Sequence, residues 1–545
     1  MFALHTRRGE SCAAPLLCAR PPVLTLACAR KGFSPYRRER QVTIVGSLIA
    51  GLGTLVAQAP TPQELSDKLS LDSSILSEQF YYWTVVVMWL IHVGFMSYEA
   101  GVSRRKNVMS TAMKNILTIA VVTPTFYYFG WWIYGCFNTG IIPFTPSKFV
   151  DSVHASEVAM ANFCSTTYPW AANFGPNLTD HISGVFWAAF LLFSWTTASI
   201  MSGALIERVR LSAYLVLACI LGSVIWILDA SWGWSAYGFL NMRWGFHDSI
   251  AGLVVHGVAG SFTLGVLLNL GPRIGKYTRD GLARTFRPHN LHLTLLGLML
   301  IFTGFYAFYA ACLVIQSTTL PGWGNIYLNP TTLSAITFAI TIGFAGGFTG
   351  GYFASRGDPF WTLSGGLAGV ISVSAGADLY APSLDYLISI FGGALAVYAG
   401  NFIEKKLRVD DAVGAVAVHG VAGFWSPLAV GLFAAGYPTG LNNVDTSLNG
   451  QLYAMMIFLP LGFFGGYIPS WILKKLNLLR VPPEVELEGL DMAEFQADFY
   501  PEFDRPAEVL IQPDGTLVES APILLEGYQE LMRNGNAPTT PVVRS

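Results

Sequence analysis

His256-Gly257-Val258-Ala259-Gly260 recurs as His419-Gly420-Val421-Ala422-Gly423. Each pentapeptide lies in a long apolar stretch. Each has an aspartate eight residues upstream, Asp248 before the first and Asp411 before the second. An Asp-x7-His-Gly-Val-Ala-Gly element used twice points to an internal duplication. Of 545 residues, 52% are hydrophobic and 12% charged, against about 25% charged in soluble domains. With 55 glycines and 15 tryptophans, this is the composition of an all-α polytopic membrane protein and not of a globular enzyme. The two histidines therefore sit where lipid would surround the helix, and ionisable residues at that depth are functional candidates by default.

Apolar runs predict eleven spans, near 80–100, 115–137, 182–206, 211–229, 249–270, 291–315, 332–354, 360–377, 384–403, 412–436 and 451–473. Each suits a hydrocarbon core of about 30 Å, the eighth being the shortest. Basic residues fall in alternate loops: Arg104, Arg105 and Lys106; Arg208 and Arg210; Arg273, Lys276, Arg279, Arg284 and Arg287; Arg356; Lys405, Lys406 and Arg408; Lys474 and Lys475. The intervening loops hold only Lys148 and Arg243. The positive-inside pattern puts the N-terminus outside and the tail, 474–545, in the cytoplasm. That tail is polar, acidic and Pro-containing, and is expected to be partly disordered. Residues 1–59 combine a basic leader, the apolar run Val42–Ala57 and Ala57-Gln58-Ala59. They read as a signal peptide or targeting segment, with an extra span as the rival. Cys136 and Cys164 fall at or near one outside loop and could pair. Asn177-Leu178-Thr179 in that loop is a glycosylation sequon.

Five spans separate the pentapeptides, an odd number, so the repeats are inverted: two five-helix units plus a final helix. Span 5 enters from outside at Asp248 and span 10 from inside at Asp411. Eight helical residues rise about 12 Å, so the histidines lie about 6 Å apart in depth near the midplane of the core. A neutral imidazole has one donor and one acceptor nitrogen, so each can satisfy the other. Leaving one unpaired costs on the order of 2–7 kcal/mol. That mutual packing is the plain alternative to a proton-handling role, and the two coexist. Asp411 reads as a helix cap; Asp248 reads as a cap with cation attraction added. The aspartates are about two turns from the histidines, too far for one metal shell. The glycine runs Gly343–Gly351, Gly365–Gly369 and Gly392-Gly393 read as helix packing. No hydrolase motif, cofactor site or nucleic-acid partner is indicated.

Four stretches carry a family resemblance: Glu99-Ala100-Gly101-x2-Arg104-x-Lys106-Asn107, Ser202-Gly203-Ala204-Leu205-Ile206-Glu207-Arg208, Asp248-x3-Gly252-x-Val254-Val255-His256, and Asp410-Asp411-x2-Gly414-Ala415-Val416-x-Val418-His419-Gly420. Arg480-Val481-Pro482 and Gly489-Leu490-Asp491-Met492 add a tail match. From about Phe80 to Tyr500 the chain resembles the ammonium transporter family (Amt/Mep, with the Rhesus proteins as distant relatives). The resemblance implies a plasma-membrane homotrimer with one pore per subunit, the membrane domain spanning 80–473. Ammonium, or methylammonium as its analogue, is recruited outside, loses its proton, and crosses an apolar pore as ammonia past His256 and His419. The resemblance assigns recruitment to Phe193, Trp232, Asp248 and Cys312, and gating to Phe193 and Phe308. It also leaves room for a cytosolic regulator on the tail. A Rhesus-like gas channel and an ammonium sensor that kept the fold are the alternatives.

The chain departs from the family pattern in places. Cys312 stands where a serine hydroxyl often meets the substrate, and a thiol is a weak hydrogen-bond partner. Ala412 replaces the usual proline after Asp410-Asp411. Phe495-Gln496 and Ala493 depart from the common tail pattern, which puts phosphorylation-type regulation in doubt.

Overall fold

The computed structural model describes residues 61–143, 155–174, 183–316, 322–497, 499–500, 510–511 and 517–518. The expected leader over 1–59, the sequon Asn177-Leu178-Thr179 and most of the tail beyond Tyr500 lie outside the described residues. In chain order the helices are α1 Pro62–Val102, α2 Arg105–Cys136, α3 Ala155–Thr166, α4 Ser183–Ala204 and α5 Leu211–Gly233. Then come α6 Phe239–Trp244, α7 Gly252–Leu270, α8 Leu291–Ala311, α9 Leu333–Ser355 and α10 Pro359–Ser374. The last four are α11 Pro382–Lys405, α12 Val416–Phe433, α13 Leu448–Lys475 and α14 Pro483–Glu488.

Ten of these are long and apolar enough to cross a membrane. The expected eighth span is α10, whose 16 residues reach about 24 Å at 1.5 Å per residue, short of a full core. Its residues from Ser364 to Ser374 are all buried, with α9 and α11 as its main partners. The first span was expected near 80–100, but α1 begins at Pro62. No glycine or proline interrupts 63–80, and proline at the first helical position is itself a start signal. Polarity alone set the expected boundary, and polarity reports depth rather than helicity. The chain from Ser70 onward forms one compact unit, and the site lies within it.

Between α8 and α9 lies a small antiparallel sheet, β1 Val314–Gln316, β2 Gly322–Gly324 and β3 Pro330–Thr331, with Ile315 opposite Trp323 and Trp323 opposite Thr331. Cys136 at the end of α2 is bridged to Cys164 in α3, which resolves the pairing that the sequence left open.

The glycine runs act as packing surfaces. A Cβ on Gly347 of α9 would stand 2.4 Å from the Gly365 carbonyl of α10, and one on Gly393 of α11 would stand 2.5 Å from the Gly347 carbonyl. The pentapeptide glycines do the same between α7 and α12. A Cβ on Gly260 would lie 2.2 Å from the Gly420 Cα, and one on Gly423 would lie 2.4 Å from the Gly257 nitrogen. Small residues let helices approach to backbone contact. A side chain here forces the helices apart, at about 1–3 kcal/mol for overpacking. Gly260→Val is therefore expected to lower the Tm of the detergent-solubilised protein by several degrees, while Ser261→Val, one residue away and half-buried, shifts Tm less. Equal Tm for Gly260→Val and wild type would refute the backbone-contact account.

Candidate functional site

The two copies of the duplicated element share one local geometry. In the first, the N–H groups of Gly252, Leu253 and Val254 donate to the Asp248 carboxylate at 2.6, 2.8 and 3.0 Å. In the second, those of Ala415 and Val416 donate to Asp411 at 3.0 and 2.7 Å. Three residues after each aspartate the backbone turns left-handed, at Ala251 with φ 62° and Gly414 with φ 71°. Glycine adopts that turn freely, whereas alanine there costs roughly 1–2 kcal/mol. A wide π-helical turn follows in each copy, Gly252–Gly257 and Val416–Val421, and carries the histidine. Such turns are frequent at functional sites.

These turns bring the histidines together. His256 Nδ1 lies 3.0 Å from His419 Nδ1, so one ring donates and the other accepts. The His256 Nε2 is buried with no hydrogen-bond partner. On the Asp248 side, Phe305 and Phe308 stack on His256 with centroids at 5.9 and 5.8 Å. Phe308 meets Phe193 at 4.3 Å, tilted 64°. The two expected gate rings are thus in contact and both are fully buried.

The expected recruitment residues converge less well. Trp232 packs against Phe239 at 5.9 Å, whereas Trp234 packs against Phe193 at 5.0 Å and Phe190 at 5.2 Å. The structure therefore brings Trp234, and not Trp232, to the gate. Residues two apart on a helix point to opposite sides, and α5 ends at Gly233, which frees Trp234 to turn inward. Trp234 Nε1 donates to the Ser249 carbonyl at 3.3 Å, and Tyr134 donates to the Trp234 carbonyl at 2.9 Å. The Asp248 carboxylate is buried and caps the turn by accepting these backbone N–H groups. The Cys312 thiol donates back to the Phe308 carbonyl of its own helix at 3.2 Å.

Sequence reasoning missed several supports. Tyr327 accepts the Asp248 N–H at 2.8 Å and donates to the Gly233 carbonyl at 2.8 Å, which ties the aspartate to the Trp234 segment. His247 pairs with Asp378 at 3.0 Å. Tyr327 lies in a loop with no motif to flag it. Asp378 lies just past a glycine-rich helix, and its partner is distant in sequence.

On the side of the basic loops, buried charges join the segments. Arg104 pairs with Glu207 at 2.7 Å, Arg273 with Asp410 at 2.9 Å and with Glu207 at 3.5 Å. Arg208 donates to the Asp410 carbonyl at 2.6 Å. Arg480 pairs with Glu486 at 2.7 Å, and Glu486 accepts the Ile274 N–H. Asp491 accepts the N–H groups of Met109 and Ser110 at 2.9 and 2.7 Å. The tail up to this point is therefore anchored to the loop after α7 and to the first turns of α2. Burial alone would raise the Asp410 carboxyl, but Arg208 and Arg273 outweigh it and hold the group well below the usual carboxylate range.

A depressed carboxyl contributes stability above its unfolded value, near 3.9, and loses it as pH falls toward the folded value. Asp410→Asn leaves Arg208 and Arg273 without that carboxylate, a loss of about 3–5 kcal/mol for a broken buried pair. Its Tm is expected well below wild type at neutral pH, with the gap closing as pH drops below about 4. A gap that stays constant through that acid range would remove Asp410 as the cluster's anchor.

Comparison with known proteins gives this geometry a family. The model described as Ammonium Transporter Family matches residues 79–500. Ammonium transporter Amt2 of Archaeoglobus fulgidus is 29% identical over 448 residues, covering 78% of this chain and 88% of that one. Ammonium transporter Amt2 of Methanocaldococcus jannaschii is 30% identical over 425 residues, covering 76% and 89%. The solved structure of a "Sensor Amt Protein" superposes with a TM-score of 0.64 at 25% identity, covering 78% of this chain and all of that one. With its multiple apolar helices, this chain is a multi-pass membrane protein, and it belongs to the Ammonium Transporter Family.

Proposed function

We propose that this chain transports ammonium by separating it into ammonia and a proton. The observation that carries the reading is the His256–His419 pair, bonded at 3.0 Å directly beneath the Phe193–Phe308 contact. Moving an isolated charge into an apolar interior costs tens of kcal/mol, whereas a neutral polar group costs a few. A dry aromatic gate thus favours ammonia and rejects the cation. Trp234 takes the cation contact expected of Trp232, since an indole face attracts an ammonium. Asp248 acts through the turn that it caps.

The histidine bond supplies a proton path. A proton arriving at His256 Nε2 leaves that ring as its Nδ1 proton, which passes to His419 Nδ1; His419 then releases its own Nε2 proton. Each ring ends neutral with its tautomer reversed. In this reading α10 counts as a span, which makes eleven, and the two halves are inverted five-helix repeats that meet at the histidines. The basic loops and tail face the cytoplasm, the N-terminus faces outside, and three copies assemble in the plasma membrane.

A sensor is the second reading. It is favoured by the likeness to the "Sensor Amt Protein" and by a tail that couples several loops through Asp491 and Glu486.

Methylammonium uptake and current in cells lacking their own ammonium transporters test both readings. Wild type is expected to show saturable uptake with inward current. His256→Ala and His419→Ala should each lower the current by about 10²-fold, as for loss of a proton-transfer group. Trp234→Leu should raise the half-saturating concentration more than Trp232→Leu. Uptake without current would favour a Rhesus-like gas channel. A correctly trafficked wild type with no uptake would favour the sensor.

A further inference from the structure

Below the histidine pair, toward the basic loops, a cavity of about 20 Å³ is lined by His419, Tyr98, Glu99, Ser364, Val413 and Ala415. A volume of roughly 10–15 Å³ is enough for one water-sized molecule, and ammonia is of that size. Glu99 is the carboxyl in its wall and is 1% exposed. One oxygen accepts from Ser202 Oγ at 2.5 Å and the other from Asn115 Nδ2 at 2.9 Å. Each oxygen keeps lone-pair capacity for a molecule in the cavity. A second feature is independent of these bonds. Lys114 is fully buried, its Nζ has no hydrogen-bond partner, and Glu99 stands within its electrostatic reach, together with Glu494, Glu207 and Asp491.

A tie between α1, α2 and α4 would need only an amide at position 99. Burying a carboxylate near an uncapped ammonium is a costly way to hold helices, and an ionisable side chain at membrane depth marks a solute path by default. Resting on the transport reading above, we propose that Glu99 is the proton-exchange group at the inner end of the pore, taking the proton released from His419 and returning it to ammonia. The steps balance. Protonated His419 gives its Nε2 proton to the Glu99 carboxylate, leaving a neutral ring and a carboxylic acid. The acid then gives that proton to ammonia, leaving carboxylate and ammonium, which departs. Lys114 is a positioning residue, its cation balancing the carboxylate between turnovers.

The test measures charge moved per radiolabelled methylammonium in the full-length protein, comparing wild type, Glu99→Gln, Glu99→Asp and Lys114→Gln at matched surface expression. Glutamine preserves the tie: its carbonyl accepts from Ser202, and its amide can donate to Asn115 Oδ1, which has no partner now. Glu99→Gln is expected to lower current by about 10²-fold, the effect of losing a proton-transfer group, while uptake falls less, so the ratio drops. Glu99→Asp should recover much of the current. Lys114→Gln should lower the ratio in the same direction. If only one of Glu99→Gln and Lys114→Gln reaches the surface, that variant decides. An unchanged ratio beside a conducting wild type overturns the role of Glu99 and leaves the transport reading intact. Wild-type uptake without current removes the proton, and the relay with it. A wild type with neither uptake nor current fails the transport reading itself.

Discussion

Helices α7 and α12 meet backbone to backbone at Gly260 and Gly420, and the hydrogen bond between His256 and His419 depends on that approach. No side chain fits between the two strips of glycine, so the ring positions follow from the helix crossing rather than from rotamer choice. The aspartate caps act on the same geometry from the far ends. Each fixes where its π-turn begins, and the turn fixes the direction of the imidazole that it carries. The left-handed Ala251 stores a small strain in support of this. Cap, turn, histidine and glycine thus form one device that is used twice.

The device stands between two different environments. Toward Asp248, the histidines meet closely packed aromatic rings: Phe308, Phe193, Trp234 and Phe190 in contact succession. Toward the basic loops they meet a small, largely apolar cavity whose wall also carries Tyr98, Glu99 and Ser364, and then a buried ion cluster. Pairing of Arg208 and Arg273 with Asp410 joins the loop after α7 to the start of the second device. Ala412 stands there in place of the usual proline. The charge cluster and the Asp411 cap supply the rigidity that a fixed φ would give. The docked tail bears on the same cluster, since Glu486 pairs with Arg480 and accepts the N–H of Ile274, next to Arg273.

The histidine pair and the caps were legible in the sequence because His256 and His419 follow Asp248 and Asp411 at one local interval. Phe193 and Phe308 were named only through the family resemblance, and their contact is set by how α4 and α8 pack. The sequence named Trp232 and passed over Trp234, because the α5 terminus decides which of the two indoles packs on Phe193, and no local pattern marks that terminus. The start of α1 at Pro62 was hidden by the polarity of 63–79. Tyr327, Asp378 and Lys114 were not legible because their partners are set by tertiary contact alone. Glu99 was visible as a motif residue, but its place in the cavity wall follows from how α1 packs against α8 and from the Tyr98 bond to the Val413 carbonyl ahead of α12.

If ammonia is separated from its proton as proposed, both environments are needed. An aromatic gate dry enough to reject ammonium also rejects hydronium, since the penalty falls on charge and not on identity. A purely apolar pore would therefore pass ammonia and leave the proton behind. On the proposed reading, the histidine bond carries a proton that has reached His256 onward by tautomer exchange, without moving an ion past the pair. Such a relay works only if something accepts the proton on the far side. An apolar floor would return it, while open water would accept it with no link to the ammonia beside it. On the proposed reading, a carboxyl at the wall of a cavity with room for one small molecule would hold the proton where ammonia passes, so that the two are rejoined before either leaves.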